Sequence, residues 1–281
     1  DGVLGVLGGL EVIRSLNDLN IRTRRPVVLV NWTNEEGARF APAMLASGVF
    51  AGVIDQDYAY GRQDRDGKIF GEELTRIGWK GEEEVGKRKI HAMFELHIEQ
   101  GPILEAEGKE IGVVTHGQGL WWLEITLTGK EAHTGSTPMK MRVNAGLGAA
   151  RIIERVHQIA MAHQPDAVGA VGQLVQLPNS RNVIPGKVVF TVDIRSPDQA
   201  KLDAMRAEVE RAAHSVAAEL GLTCVIEPVG HFDPVAFDAG LADRVRAAAE
   251  RLDYSHMDIV SGAGHDACWI NRVAPTAMVM C

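Results

Sequence analysis

Between Leu120 and Pro228 the chain changes rhythm, and that change restricts its architecture more than any other feature. Leu120-Trp121-Trp122-Leu123-Glu124-Ile125-Thr126-Leu127-Thr128 alternates as a strand with one wet face does. A helical pattern runs from about Asn144 to Ala160, followed by a strand near Ala167 to Leu177 and a turn at Asn179-Ser180-Arg181. Next come a strand over Val188–Ile194, a helix over about Gln199–Leu220 and a strand over Leu222–Pro228. The order is β-α-β-β-α-β, the ferredoxin-like layout of four strands under two helices, self-contained in about 110 residues.

The flanks read differently. Val3, Leu4, Val6, Leu7, Leu10, Ile13 and Leu16 fill one broad face and predict a buried helix over Gly2–Asn20. Val27-Val28-Leu29-Val30-Asn31-Trp32 is a run of the kind buried on both faces of a parallel sheet. Ala92–His97 predicts another strand, the charged stretch Arg62–Lys89 a solvated surface, Gly240–Leu252 a helix and Pro275–Met280 a strand. The fold class expected is α/β: a three-layer α/β/α domain interrupted by a smaller α+β domain. The boundaries fall at 1–118, 119–232 and 233–281.

Composition narrows the function. With 29 Lys and Arg against 37 Asp and Glu the net charge is −8, which argues against non-specific nucleic-acid binding. No apolar stretch approaches the roughly 18 to 20 residues that span a bilayer, and no leader pattern opens the chain, so no membrane association is expected and the molecule reads as cytoplasmic. Cys224, Cys268 and Cys281 form no CxxC, so neither a disulfide framework nor a thiolate zinc site is encoded. The chain opens on Asp1 inside an apolar pattern and stops at Cys281 just after a strand-like run, so both ends read as cut.

Chemistry concentrates at strand ends, where open α/β sheets present ligands. Glu35 and Glu36 follow Val-Leu-Val-Asn-Trp-Thr-Asn, and two adjacent carboxylates there call for a cation or a shared proton. His97 ends a strand in Phe94-Glu95-Leu96-His97-Ile98-Glu99-Gln100-Gly101. Singly, each has an ordinary reading as a solvated turn, a packed histidine or, for Asp1, a ragged start. Together Asp1, one of the two adjacent glutamates and His97 form a ligand set suited to Zn²⁺ or Mn²⁺, with the other glutamate left over as a base.

His133 lies among Gly, Ser, Thr and Pro, where exposure or ligand contact suits it better than a core. Asn182 either starts a turn or donates to a carbonyl or oxyanion. Arg195 either pairs with Asp193 or Asp198 or forks a substrate carboxylate. A Ser-His-Asp triad around Ser261-Gly262-Ala263-Gly264-His265-Asp266 is weak, because no Gly-x-Ser-x-Gly elbow exists. Phosphate-binding glycine motifs are also missing.

Seven segments, taken in order, carry a resemblance: Asp1-Gly2-Val3-Leu4-Gly5, Asn34-Glu35-Glu36-Gly37, Glu95 through Gly101, Glu131 through Met139, Asn182-Val183-Ile184-Pro185, Asp193 through Pro197, and Gly262 through Ala267. The whole chain resembles the hydantoin-utilisation amidohydrolases, comprising N-carbamoyl-L-amino-acid hydrolase, β-ureidopropionase and allantoate amidohydrolase, within the dinuclear, aminoacylase-like metallopeptidase superfamily. The resemblance implies a metal-dependent hydrolase of the C–N bond of N-carbamoyl amino acids or related ureido acids. The larger domain is then catalytic, and the inserted one a lid and dimerisation domain. Two divalent metal ions per subunit, Zn, Mn, Ni or Co, are implied, with Asp1 bridging them, Glu36 binding one and His97 the other. Glu35 is then the general base acting on water. His133 reaches the partner subunit's site of a homodimer to stabilise an oxyanion. Gln100 lies beside the carbamoyl group, Asn182 and Arg195 bind the small-molecule substrate, and His265 has a supporting role.

Two departures qualify this. The family's further metal histidines, from an H-x-D segment before the bridging Asp and an S-H-N-like segment after the final strand, do not lie between Asp1 and Cys281. A fragment of this kind is expected to show a partial or empty metal complement. Asn144 replaces the acid that relatives carry at the start of the lid helix. An aminoacylase- or dipeptidase-type hydrolase, and a non-catalytic dimeric binding protein with an incomplete metal site, therefore stand as alternatives.

Overall fold

A computed structural model describes residues 2–281. The described chain opens with α1 (Gly2–Asp18), α2 (Leu45–Phe50), α3 (Gln56–Tyr60), α4 (Phe70–Arg76), β1 (Met93–His97), α5 (Ile103–Glu107) and β2 (Ile111–Gly117). It continues with β3 (Gly119–Thr128), β4 (Ala132–His133), α6 (Ala145–Ala162), β5 (Val168–Leu177), β6 (Val183–Ile184), β7 (Lys187–Ser196), α7 (Gln199–Leu220) and β8 (Thr223–Phe232). It ends with β9 (Val235–Ala236), α8 (Ala239–Arg251), β10 (His256–Ser261), α9 (Asp266–Ile270) and β11 (Thr276–Met280). Two compact units result, one of Asp1–Gly117 with Ala236–Cys281, the other of Gln118–Val235. Among the described residues no helix is long and apolar enough to cross a membrane.

In the first unit the sheet runs β1-β11-β2-β10, with β9 also paired to β2. β1 lies parallel to β11 and β10 parallel to β2, whereas β11 and β2 are antiparallel. Side-chain alternation sorts the faces. Val113 and Ala277 meet Ala242 and Val245 of α8 on one face. Glu95 and His97, in register with Met278 and Met280, point to the other, where α9 packs on β1 and β11. Helices thus cover both faces, as an α/β layer architecture requires.

The second unit is the β-α-β-β-α-β succession, with its four-stranded antiparallel sheet in the order β5-β7-β3-β8. Its core follows from two periodicities. Every second residue of β3 and β7 is buried (Leu123, Ile125, Leu127, then Val188, Phe190, Val192, Ile194), as are Ile152 and Val156 of α6 and Leu202, Met205, Val209 and Ala213 of α7. Caps set the helix starts: the side chains of Asn144 and Asp198 accept from Leu147 and Lys201 backbone N–H groups at 3.2 and 2.9 Å. Asn144 is therefore a helix cap in this fold. Gly221, at φ +66°, ends α7 in the left-handed conformation.

Two expectations fail and a third holds only in part, the stretch Arg62–Lys89 being mostly exposed. α1 forms, but none of its residues is buried, and Val3, Leu7, Leu10 and Val12 are exposed. The apolar stripe dictated a helix, but α1 lays only its small-residue side on β1, where Gly5 and Gly8 come close to Leu96, and that contact leaves the helix partly covered and its outer apolar residues exposed. Val27–Trp32 is not a strand, and Val27, Val28 and Val30 are exposed, because β-propensity becomes a strand only where a neighbour completes the hydrogen-bond ladder. The charged stretch Arg62–Lys89 contains α4, whose Phe70 and Leu74 join Phe40, Leu45 and Ala59 in a small core of their own.

Candidate functional site

The loop after Trp32 is shaped to present two carboxylates. Asn34 sits at φ +60° and its Nδ2 donates to the Phe40 carbonyl at 2.7 Å. The Met44 N–H donates to the Glu35 carbonyl at 2.5 Å, and buried Phe40 anchors the loop. Gly37 is required here. Its φ is +64°, and a β-carbon would lie 2.5 Å from the Ala43 nitrogen. Glu35 is half-buried and Glu36 exposed. Burial, then the charge of Glu36, raises the Glu35 carboxyl above the ordinary range, and His97 partly offsets this.

The end of β1 supplies the imidazole. His97 Nδ1 lies 2.7 Å from the Ile98 carbonyl oxygen, an acceptor, so Nδ1 carries the proton and the lone pair is left on Nε2. Three residues on, Gln100 is held at φ +59°, the region that disfavours a side chain. Glu99 braces this turn, its two carboxylate oxygens accepting from Ile103 and Leu104 N–H groups at 2.8 and 2.7 Å.

Behind His97 lies a buried polar cluster that sequence reasoning found only in part. The rings of His97 and His265 meet edge to face at 4.6 Å between centroids. His265 is 1% exposed, its Nε2 hydrogen-bonded to Ser261 Oγ at 2.7 Å and its Nδ1 3.7 Å from Glu95. Glu95 accepts from the Ala267 N–H at 2.8 Å, and the Ser47 hydroxyl donates to Asp266. Burial pushes Glu95 up to about 7, with Asp266 adding to the effect, and burial likewise pushes Asp266 up to about 7. Burial and the neighbouring His97 bring His265 down to about 3. The Ser-His-Asp triad does not form: Asp266 partners Ser47, and Ser261 is too deeply buried, at 1% exposed, to meet a substrate. Glu95 was discernible as the residue two before His97, on the same strand face. Ser47, from a distant helix, had no sequence signal.

This donor set suits a hard or borderline divalent cation. Glu35, Glu95 and Asp266 are raised by burial and by neighbouring carboxylates, and the His97 Nε2 lone pair faces away from its backbone partner. Among the described residues no three His, Cys, Asp or Glu side chains converge as a ready cage. Asp1, the expected bridging ligand, lies outside the described residues.

In the second unit β4 and β6 form a two-residue ribbon that brings His133 and Asn182 together. His133 pairs with Val183, and the Thr134 N–H donates to the Asn182 carbonyl at 2.9 Å. Both residues are exposed. Asn182 Oδ1 accepts from the Ser180 hydroxyl at 3.1 Å, a turn contact. Arg195 is two residues from Asp193 on one face of β7 and forks it, Nε to Oδ1 at 3.0 Å and Nη2 to Oδ2 at 2.6 Å. The plainer of its two sequence readings, a pair with Asp193, is thus present.

Residues 1–281 match the peptidase family M20/M25/M40. The chain is 71% identical over 281 residues to an N-carbamoyl-L-amino-acid amidohydrolase of Rhizobium meliloti, covering all of this chain and 68% of the relative. It is 32% identical over 284 residues to an allantoate amidohydrolase of Bacillus subtilis, covering 99% and 68%. The crystal structure of a hydantoinase/carbamoylase family amidase from Burkholderia multivorans superposes with a TM-score of 0.98 at 57% identity, over all of this chain and 68% of that one. The chain belongs to the peptidase family M20/M25/M40, among its hydantoinase/carbamoylase amidohydrolases, and is a hydrolase.

Proposed function

We propose that this hydrolase cleaves the C–N bond of N-carbamoyl L-amino acids or closely related ureido acids, with Glu35 as general base. The name of the relative that shares 71% of its residues supports the substrate class. The observation that carries the chemistry is Glu35 itself, half-buried beside Glu36 and His97 with its carboxyl held above the usual range. A carboxylate poised that way takes a proton from water and keeps it long enough to return it to the leaving nitrogen. Asp1, Glu36 and His97 would hold two divalent ions, which when bound supply Lewis acidity toward a carbonyl and a more acidic water.

The remaining residues bind. Gln100, fixed in its braced turn, contacts the carbamoyl group. Arg195, its guanidinium plane set by Asp193, takes the amino-acid carboxylate, and Asn182 and His133 address the scissile carbonyl. The Gln118–Val235 unit is proposed as a lid and as the contact of a homodimer, for which exposed Val168, Leu174 and Leu177 on edge strand β5 and Val225 and Val229 on edge strand β8 offer apolar surface.

The test is Glu35→Gln. Ammonia release from N-carbamoyl amino acids is expected to fall by about 10²- to 10⁴-fold, the usual worth of a general base, with bound metal per subunit unchanged. Turnover within a factor of a few of the parent would remove Glu35 from the role.

A further inference from the structure

We propose that His231 is a proton-operated latch on the strand that leaves the second unit: as an imidazolium it ties the end of β8 both to β3 and to Asp233, and on losing its proton it releases one of the two ties. The latch is a property of the fold and does not depend on which substrate the hydrolase takes.

His231 stands one residue before the end of β8, opposite Trp121 of β3. Its Nδ1 lies 3.1 Å from the Leu120 carbonyl oxygen and its Nε2 2.9 Å from Asp233 Oδ1. A carbonyl and a carboxylate can only accept, so both contacts are hydrogen bonds only while both ring nitrogens carry protons. A neutral ring has a single N–H, and its other nitrogen turns a lone pair toward an oxygen. One proton therefore decides whether this strand end is held twice or once. The side chain is 33% exposed, so solvent can deliver and remove that proton.

Packing keeps the ring where the proton matters. It stacks on Trp121 with 3.8 Å between centroids and 10° between planes. Among the described residues the buried indole N–H of Trp121 has no hydrogen-bond partner, so that ring is placed by what lies on its faces. One such neighbour is Arg206 of α7, its Cζ 4.0 Å from the indole centroid. An imidazolium adds its own attraction to the aromatic face. The charged groups that meet this stack are Asp233, whose negative charge attracts the imidazolium, and Arg206, whose positive charge repels it. Glu210 offsets the latter by accepting from Arg206 Nε at 2.8 Å.

The location gives the latch its consequence. Three residues after His231, Pro234 packs against Gly119, and beyond Val235 the chain passes to the first unit. Leu120 belongs to the strand by which the chain enters the second unit. His231 thus fastens the outgoing segment to the incoming one, and its proton sets how freely that connection moves.

Two measurements on the chain of residues 1–281 test this between about pH 5 and 8, the span over which imidazole changes charge. Long-range ¹H–¹⁵N correlation on ¹⁵N-histidine-labelled protein, assigned by the resonance lost in His231→Gln, counts the protons on the ring. Amide exchange at Gly230, Phe232 and Asp233, corrected for the intrinsic rate and referred to Val192 in β7, follows the strand end. Exchange there is expected to speed up by roughly tenfold as the ring passes from two protons to one, the scale of a hydrogen bond to a charged group. His231→Gln should remove the pH dependence. Asp233→Asn, which keeps an oxygen for Nε2 without the charge, should move the step to lower pH. Exchange that stays constant while the ring titrates overturns the proposal, as does a step that survives in His231→Gln. Should the Gln variant fail to fold, Asp233→Asn decides, and a step left at the parent's pH overturns it.

Discussion

Glu95 and Asp266 are carboxyls whose folded-state values near 7 lie above their unfolded values near 4. The folded state therefore binds protons that the unfolded chain has already released, and stability is gained as pH falls from about 7 toward 4 and lost as it rises through 7. His265, held near 3, acts oppositely, because the unfolded chain takes up its proton below about 6.5 and stability drains away there. The windows overlap below 6.5, so the carboxyl effect is cleanest above it. In chelator, the melting temperature is expected to fall between about pH 6.5 and pH 8. Asp266→Asn, which keeps an oxygen for the Ser47 hydroxyl but drops the charge, should melt higher than the parent at pH 8 and show a flatter profile; a lower melting point there would refute the assignment. At this scale the sequence was informative wherever function sits at a strand end. Glu35, Glu36 and His97 stood out by type and position, whereas Ser47 meets Asp266 from 219 positions away and no local pattern encodes such a meeting.

Elements were legible in proportion to how completely their own residues bury them. β7 is buried at every second residue and lies between β5 and β3, so its alternation was a sufficient signal. α7 begins and ends where an Asp cap and a left-handed glycine place it. β2 and β10 escaped the sequence reading although Val113, Val114 and Ile259 are buried, because short apolar runs become strands only through each other. Val27–Trp32 shows the converse. The same dependence on partners makes Phe190, fully buried between the sheet and its helices, the sensitive point of the second unit. Phe190→Ala is expected to cost about 3–5 kcal/mol in denaturant melts, the usual penalty of an emptied aromatic site. A loss under about 1 kcal/mol would mean that this core can collapse around the gap.

Two units with separate cores make the whole molecule divisible in a testable way. The Gln118–Val235 unit is one uninterrupted stretch of chain whose ends adjoin, Pro234 lying so close to Gly119 that a β-carbon there would meet the Pro234 nitrogen at 2.6 Å. A segment with its own core and neighbouring ends can be inserted into a host without disturbing it, and can fold alone. The carboxylates and His97 proposed to hold metal all belong to the other unit. Any ligand that binds only the folded state raises stability by RT ln(1 + [L]/Kd), and does so only for the unit that carries its site. Residues 118–235 expressed alone are therefore expected to give a cooperative melt and the far-ultraviolet dichroism of a mixed α/β fold, with no shift on adding Zn²⁺ or Mn²⁺. The chain of residues 1–281 should show a metal-dependent rise of several degrees, about 2.7 kcal/mol at a hundredfold excess over Kd. Equal shifts in both proteins would place the metal on the Gln118–Val235 unit and remove Glu36 and His97 from the ligand set.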